Sequence, residues 1–234
     1  MRRIHPIARM LRPFAPCALL AVPACFSLSR PTPPLEEYVL GQHPRAERAV
    51  PVRDTTGVSI GLRRLDIAPY LATTSIVVRR GSRTLTSEFR RWGEEPSAGI
   101  MRALAASLVA TPEIVAVDVA PWPVQAQHDY LVQLHISHLE GVASEDSLAM
   151  EGEVRVTASW EIIRPLDGAL VARGETDHKE SGWRLGDYSG LVTRVDKGLA
   201  GLASDVTACL IRLPAAARAS DAAASGRALV CGGR

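Results

Sequence analysis

Gly57-Val58-Ser59-Ile60-Gly61 has the spacing of G-x-S-x-G. In a serine hydrolase that motif bends a strand sharply into a helix and holds the serine hydroxyl out where a base can take its proton. In this chain Val58, Ile60 and Leu62 share one parity, with Ser59, Gly61 and Arg63 between them. Such alternation places the serine inside a half-buried strand. The following Arg-Arg-Leu-Asp-Ile-Ala-Pro does not open a helix. A hydrolase built on Ser59 is therefore the lesser of the functional readings. The histidines add little. His135 and His138 stand three apart on a strand, a spacing that sends them to opposite faces and away from a shared metal. His43, His128 and His178 lie in polar stretches and are expected to be solvated. The sequence has no CxxC, no HExxH, no phosphate-binding glycine loop and no close carboxylate pair with a plausible pocket. The expectation is a non-catalytic protein that uses no cofactor and no metal.

The elements that would position these residues are legible from their periods. Tyr130, Val132, Leu134 and Ile136 alternate, and so do Leu148, Met150, Val154, Val156, Ala158, Trp160 and Ile162, opposite Glu151, Glu153, Arg155, Thr157, Ser159 and Glu161. A period of two with one greasy face means a strand covered on one side. Arg164-Pro-Leu-Asp-Gly168 reads as a turn into a partner strand at 170–177. Residues 76–80 and 84–92 flank Gly81 as a second hairpin. Ile100, Leu104 and Leu108 recur every four residues after Pro96, which suits a first helical turn. Leu191, Val195, Leu199, Leu202, Val206, Leu210 and Leu213 form the stripe of a long amphipathic helix, with Asp187 or Ser189 as its cap. Gly190, Gly198 and Gly201 are expected to weaken it. The pattern gives an α+β fold: a mostly antiparallel or mixed sheet covered by two main helices, a single-domain two-layer sandwich.

The N-terminus reads as a signal. Arg2, Arg3, Arg9 and Arg12 precede an apolar run at 14–24 that is too short to span a membrane. Ala24 and Cys25 close it in a way that resembles a bacterial lipobox, with lipid attached at Cys25. The expected organisation is a signal peptide at 1–24, a Pro- and Ser-rich tether at 25–37, a domain at 38–213 and a flexible tail at 214–234. The full chain has 27 Lys plus Arg against 25 Asp plus Glu. Removing the signal leaves 23 against 25, so the basic excess belongs to targeting and no nucleic-acid partner is expected. Cys209 and Cys231 remain. A disulfide between them would suit an oxidising compartment, but the apolar helix pattern around Cys209 favours an unpaired, buried thiol.

Four segments then resemble one family: Glu37-Tyr-Val-Leu-Gly41; Val58 to Arg79, containing Pro69-Tyr70-Leu71; Arg90-Arg-Trp-Gly-Glu-Glu-Pro96; and Ala120-Pro-Trp-Pro-Val124. Their order and spacing are similar to those of the ABC-type transport auxiliary lipoproteins, the paraquat-inducible protein C type. Ser97 after Pro96, and Ala68 and Ala72 to Thr74, depart from the family pattern. The resemblance implies an accessory or docking component, lipid-anchored on the periplasmic face of the outer membrane of a Gram-negative bacterium. It implies an MCE-domain protein of an ABC transport system as partner, in lipid or other intermembrane traffic, and leaves a homo-oligomer among the expectations. A general outer-membrane assembly lipoprotein of similar fold is a further reading. Aromatic residues are scarce, so their positions matter. Trp92 and Trp160 are expected in the core. Tyr70, Trp122 and Trp183 lie beside Pro or Gly in expected loops and are the candidate partner-binding residues.

Overall fold

A strand that is greasy on alternate residues must lay that face on something, and here the whole domain is organised by that need. The structure is a computed structural model that describes residues 32–41, 57–146, 148–220 and 228–232, without the side chains of 214–220. Cys25, the signal peptide and the first part of the tether lie outside the described residues, as does His43.

The strands run β1 (Glu36–Tyr38), β2 (Val58–Leu62), β3 (Asp66–Ile67), β4 (Ser75–Arg80), β5 (Arg83–Trp92), β6 (Ile114–Val119), β7 (Tyr130–Ala143), β8 (Glu151–Ile163), β9 (Leu170–Arg184) and β10 (Leu229–Gly232). Helix α1 (Pro96–Val109) falls between β5 and β6, and α2 (Tyr188–Ser220) between β9 and β10. The long strand β7 is paired on both edges. Antiparallel β8 covers one edge from Leu131↔Ile163 to Ala143↔Gly152. The other edge takes β2, β3 and β4 in turn, all parallel, at Ile60↔Tyr130, Asp66↔His135 and Val78↔Gly141. Residues 58–80 therefore form one broken strand along β7, interrupted by a 3-10 turn at Pro69–Leu71. β6 extends the sheet beyond β2, β5 and β1 extend it beyond β4, and β9 and β10 extend it beyond β8. The hairpins expected at 76–92 and 151–177 are both present.

Both helices cover one face of this mixed sheet. Ile60, Leu62, Val132, Leu134, Ile136, Val154, Val156, Ala158, Trp160 and Ile162 turn toward them and are buried. The seven stripe residues of α2, from Leu191 to Leu213, are buried as well. Glu95 caps α1 by accepting from the Ala98 N–H at 2.9 Å, and Asp187 caps α2 by accepting from Gly190 at 2.8 Å. Gly198 does more than weaken α2. A Cβ there would fall 2.5 Å from Val156 Cγ2, so its absence lets the helix backbone close on β8. Gly141 of β7 is used in the same way, because a Cβ would fall 2.6 Å from the ring of Trp183.

The structure corrects the sequence at both ends of this frame. β8 begins at Glu151, and Leu148 and Met150 lie outside it, 87% and 61% exposed. The segment 214–234, expected as a flexible tail, carries α2 on to Ser220 and contains β10, which pairs parallel with β9 from Leu229↔Ala172 to Gly232↔Glu175. Cys209 and Cys231 form a disulfide across 22 residues, so Cys209 is not a free thiol. Leu229-Val230-Cys231 is a short β-forming run, and the covalent tie holds a strand too brief to persist alone. Cys231→Ser should lower the unfolding free energy by about 3 kcal/mol, the loop-closure value for a link of this length. Urea denaturation measures it, and dithiothreitol should bring the wild type down to the variant while leaving the variant unchanged.

Candidate functional site

The alternation of β7 changes parity in its middle. Ile136 faces the helices, and so does Leu139. The register against β8 passes from Ile136↔Ala158 to His138↔Thr157, which leaves Ser137 as an extra residue. A bulge of this kind re-aims every side chain beyond it. His135 before the bulge and His138 after it therefore both lie on the open face, where opposite faces were expected. They do not converge. His135 Nδ1 stands 2.8 Å from Asp66 Oδ2, and His138 Nδ1 stands 3.0 Å from Glu140 Oε1.

Glu140 is the least expected residue of this face. It is fully buried on the side of the sheet away from the helices. Arg79 of β4 donates from Nε to Glu140 Oε1 at 2.8 Å. The 3-10 turn brings Tyr70 to the same place. Its hydroxyl donates to the Ser137 carbonyl at 3.0 Å and lies 3.2 Å from His138 Nδ1. Burial, and then the neighbouring Glu140 carboxylate, push the Tyr70 phenol well above its ordinary range. The second oxygen of Glu140 has no hydrogen-bond partner. Sequence reasoning missed this cluster; the parity switch between Ile136 and Leu139 is the signal that could have found it.

A second constellation fixes the loop between β6 and β7. His128 Nε2 meets Asp118 Oδ2 at 2.8 Å, and Trp122 packs edge-on against the His128 ring at 5.0 Å. His128, expected in solvent, has a side chain only 3% exposed. The Ser59 hydroxyl donates to Asp129 Oδ2 at 2.8 Å, and the Asp129 N–H donates back to Ser59 Oγ at 3.1 Å. Ser59 thus lies within β2 and clamps this loop; no helix follows it and no elbow is formed. Val124, at the tip, is 99% exposed. His178, also expected in solvent, is half-buried on the helix side of β9, 3.9 Å from Glu180.

The three aromatic candidates separate. Tyr70 is 37% exposed, and Trp122 is half-buried against His128. Trp183 is fully buried, with its indole N–H donating to the Asp187 carbonyl at 2.8 Å. Its loop placement is corrected by Gly182, whose φ of 75° absorbs a bulge within β9 rather than ending the strand. Trp92 and Trp160 are in the core as expected. The open face also holds a groove of about 770 Å³ lined by Gln133, His135, Ser159, Glu161, Arg173 and Val230, among others. Among the described residues no three His, Cys, Asp or Glu side chains converge as a metal-binding group, and no helix is long and apolar enough to cross a membrane.

Removing one partner of a buried ion pair costs about 3 kcal/mol or more, because the other charge stays buried. Arg79→Met should therefore destabilise the domain by about that amount, and adding Glu140→Leu should restore most of it. Equal stability of the single and double variants in urea would contradict a buried Glu140 charge.

A two-layer α+β domain with helices on one sheet face defines the class, and solved structures share it. Protein XCC0632 from Xanthomonas campestris, of the DUF330 family, superposes with a TM-score of 0.59 at 11% identity, covering 80% of this chain and 97% of its own. A second, described as an uncharacterized protein, gives 0.53 at 15% identity, covering 65% and 92%. No curated protein matches the sequence. The family model of the ABC-type transport auxiliary lipoprotein component matches residues 38–207. The chain belongs to that family, and Tyr70, Glu140 and Trp122 all fall inside the matched region.

Proposed function

We propose that this protein is a non-catalytic accessory of an ABC transport system, anchored by lipid at Cys25 to the periplasmic face of the outer membrane, where it docks an MCE-domain protein engaged in lipid or other intermembrane traffic. The family match over residues 38–207 carries the reading. Three observations support its details. Phe26 follows Cys25, so no aspartate stands there to favour inner-membrane retention. The Cys209–Cys231 disulfide suits an oxidising compartment. The Ser59 hydroxyl is engaged with Asp129, where a hydrolase would present it to a base. The docking residues in this reading are Tyr70 and Trp122, with Trp183 withdrawn to the core.

The test is a pull-down from detergent extracts with the full chain as bait. Wild type should recover the MCE protein and turn over no ester. Tyr70→Ala and Trp122→Ala, each shown to be folded by circular dichroism, should weaken capture about thirtyfold, the usual cost of truncating a buried interface aromatic. Trp183→Ala should instead unfold the domain. Cys25→Ser should release the protein from membranes without changing capture. Wild-type bait that recovers no MCE protein removes the reading, as does ester turnover that Ser59→Ala abolishes.

A further inference from the structure

Three pieces of chain meet at one end of the sheet. β4 and β5 turn over at Gly81, level with the end of β7 through the pairing Arg80↔Ala143. The loop after β7 lies beside that turn, since a Cβ on Gly81 would fall 3.1 Å from Glu145 Oε1. β9 finishes there too, where the Leu185 N–H donates to the Met150 carbonyl at 2.9 Å. Leu148 and Met150 of the loop are both exposed. Leu148 is held out by a closed turn. Its N–H donates to Asp146 Oδ1 at 2.9 Å, and the Ala149 N–H donates to the Asp146 carbonyl at 3.1 Å. Arg80 and Arg83 flank the Gly81 turn, and Arg184 ends β9. Among the described residues Arg80 and Arg83 make no ion pair, and Arg80 Nε has no hydrogen-bond partner.

The N-terminal segment heads for the same end. β1 pairs parallel with β5, from Glu36↔Arg90 to Tyr38↔Trp92, and β5 begins at the hairpin turn. Going back along the chain from Glu36 is therefore going toward Gly81. Pro33 and Pro34 keep the chain extended as it leaves β1. Cys25 stands further back from Glu36 than Arg83 does from Arg90, so a chain on this heading carries a lipid at Cys25 past the turn. It advances at most about 3.5 Å per residue, which leaves little slack beyond. The opposite end of the sheet, at the turn between β8 and β9, also exposes Leu166 and Val124. The tether leads away from that end, and Asp118, Asp129 and Asp167 stand there.

We infer that the Gly81 end of the domain sits in the headgroup layer of the membrane that holds the Cys25 lipid, with Leu148 and Met150 entering the acyl boundary and Arg80 and Arg83 reaching lipid phosphates. The occupant is a phospholipid surface because exposed apolar side chains beside unpaired arginines match that boundary, greasy below and phosphate-bearing above. A guanidinium takes phosphate oxygens in pairs, which supplies the acceptors that the domain does not. Glu145, Asp146 and Glu151 balance the three arginines of this end, so the contact depends on apolar insertion and phosphate pairing and not on net charge. The inference rests on the lipid anchor of the proposed function. It turns Trp122, at the opposite end of the sheet, away from the bilayer and toward a periplasmic partner.

The test uses the lipidated full chain in vesicles of phosphatidylethanolamine and phosphatidylglycerol, with a fluorescent NBD label on Leu148→Cys, Met150→Cys or Leu166→Cys. Each label finds one thiol, because Cys17 leaves with the signal, Cys25 carries lipid and Cys209 is paired with Cys231. All three positions are exposed, so each variant should keep the wild-type melting temperature. Doxyl-labelled lipid should quench the labels at 148 and 150 and leave the label at 166 bright. Adding Arg80→Gln and Arg83→Gln should reduce quenching at 148. Quenching at 166 in place of 148 overturns the inference by putting the other end on the membrane. A chain that floats with vesicles while its label at 148 stays bright overturns it too, and leaves the surface to a protein partner. Equal quenching without the two arginines overturns it as well. Wild type that does not float with vesicles removes the lipid anchor, and this contact with it, so the two failures are told apart by flotation.

Discussion

The double pairing of β7 is the constraint on which the domain rests. A strand held by β8 along one side and by three successive segments along the other cannot shift register without breaking both ladders at once. The cost of slippage is large because every residue moved by one place would turn its apolar side chain from the helices to solvent. The bulge at Ser137 is the one place where the strand departs from this discipline. Everything above it is offset by one residue from everything below. That offset sends Leu139, Gly141 and Ala143 inward and turns Glu140 out of the helix layer, onto the face where Arg79 and Tyr70 meet it.

The two layers serve different ends. The core is filled with aliphatic groups and buried tryptophans, two of which are stacked where a neighbouring strand carries glycine: Trp160 by Gly174, Trp183 by Gly141. The open side is charged, and its pairs are mostly local, such as Lys179 with Asp177 and Arg164 with Asp167. Such exposed pairs contribute little to stability. The Glu140 cluster is the exception, buried and incompletely satisfied, which is costly for a fold and usual where a surface has work to do.

Much of this was readable in the sequence, and the omissions have physical causes. Strict alternation gave β8, and a period near four gave both helices, because burial of one face leaves a direct mark on residue order. What failed was what depends on partners distant in sequence. His128 looks solvated until Asp118 folds back to it. Gly198 looks like a helix defect until Val156 is placed beneath it. Trp183 sits after Ser-Gly, a turn signal, but the left-handed Gly182 is spent on a bulge. The pairing of Cys209 with Cys231 was the less favoured of two readings because Cys231 lies in a stretch too short to announce itself as a strand. Tyr70 was singled out for exposure; its tie to Glu140 across 70 positions had no local signature.

The position of β1 has a mechanical consequence. It is three residues long, lies at the outermost edge beyond β5, and is the point where the N-terminal segment enters the domain. Tension arriving through that segment loads the Glu36–Tyr38 ladder with β5 first, and passes next to the chain beyond it, where Leu40 is buried and the Gly41 N–H donates to Asp196. Short edge strands open at low free energy while a central ladder stays closed. A molecule tugged from its N-terminus would pay out a few residues of slack before its core felt the pull. The disulfide staple, at the opposite margin of the sheet, lies off that line of force.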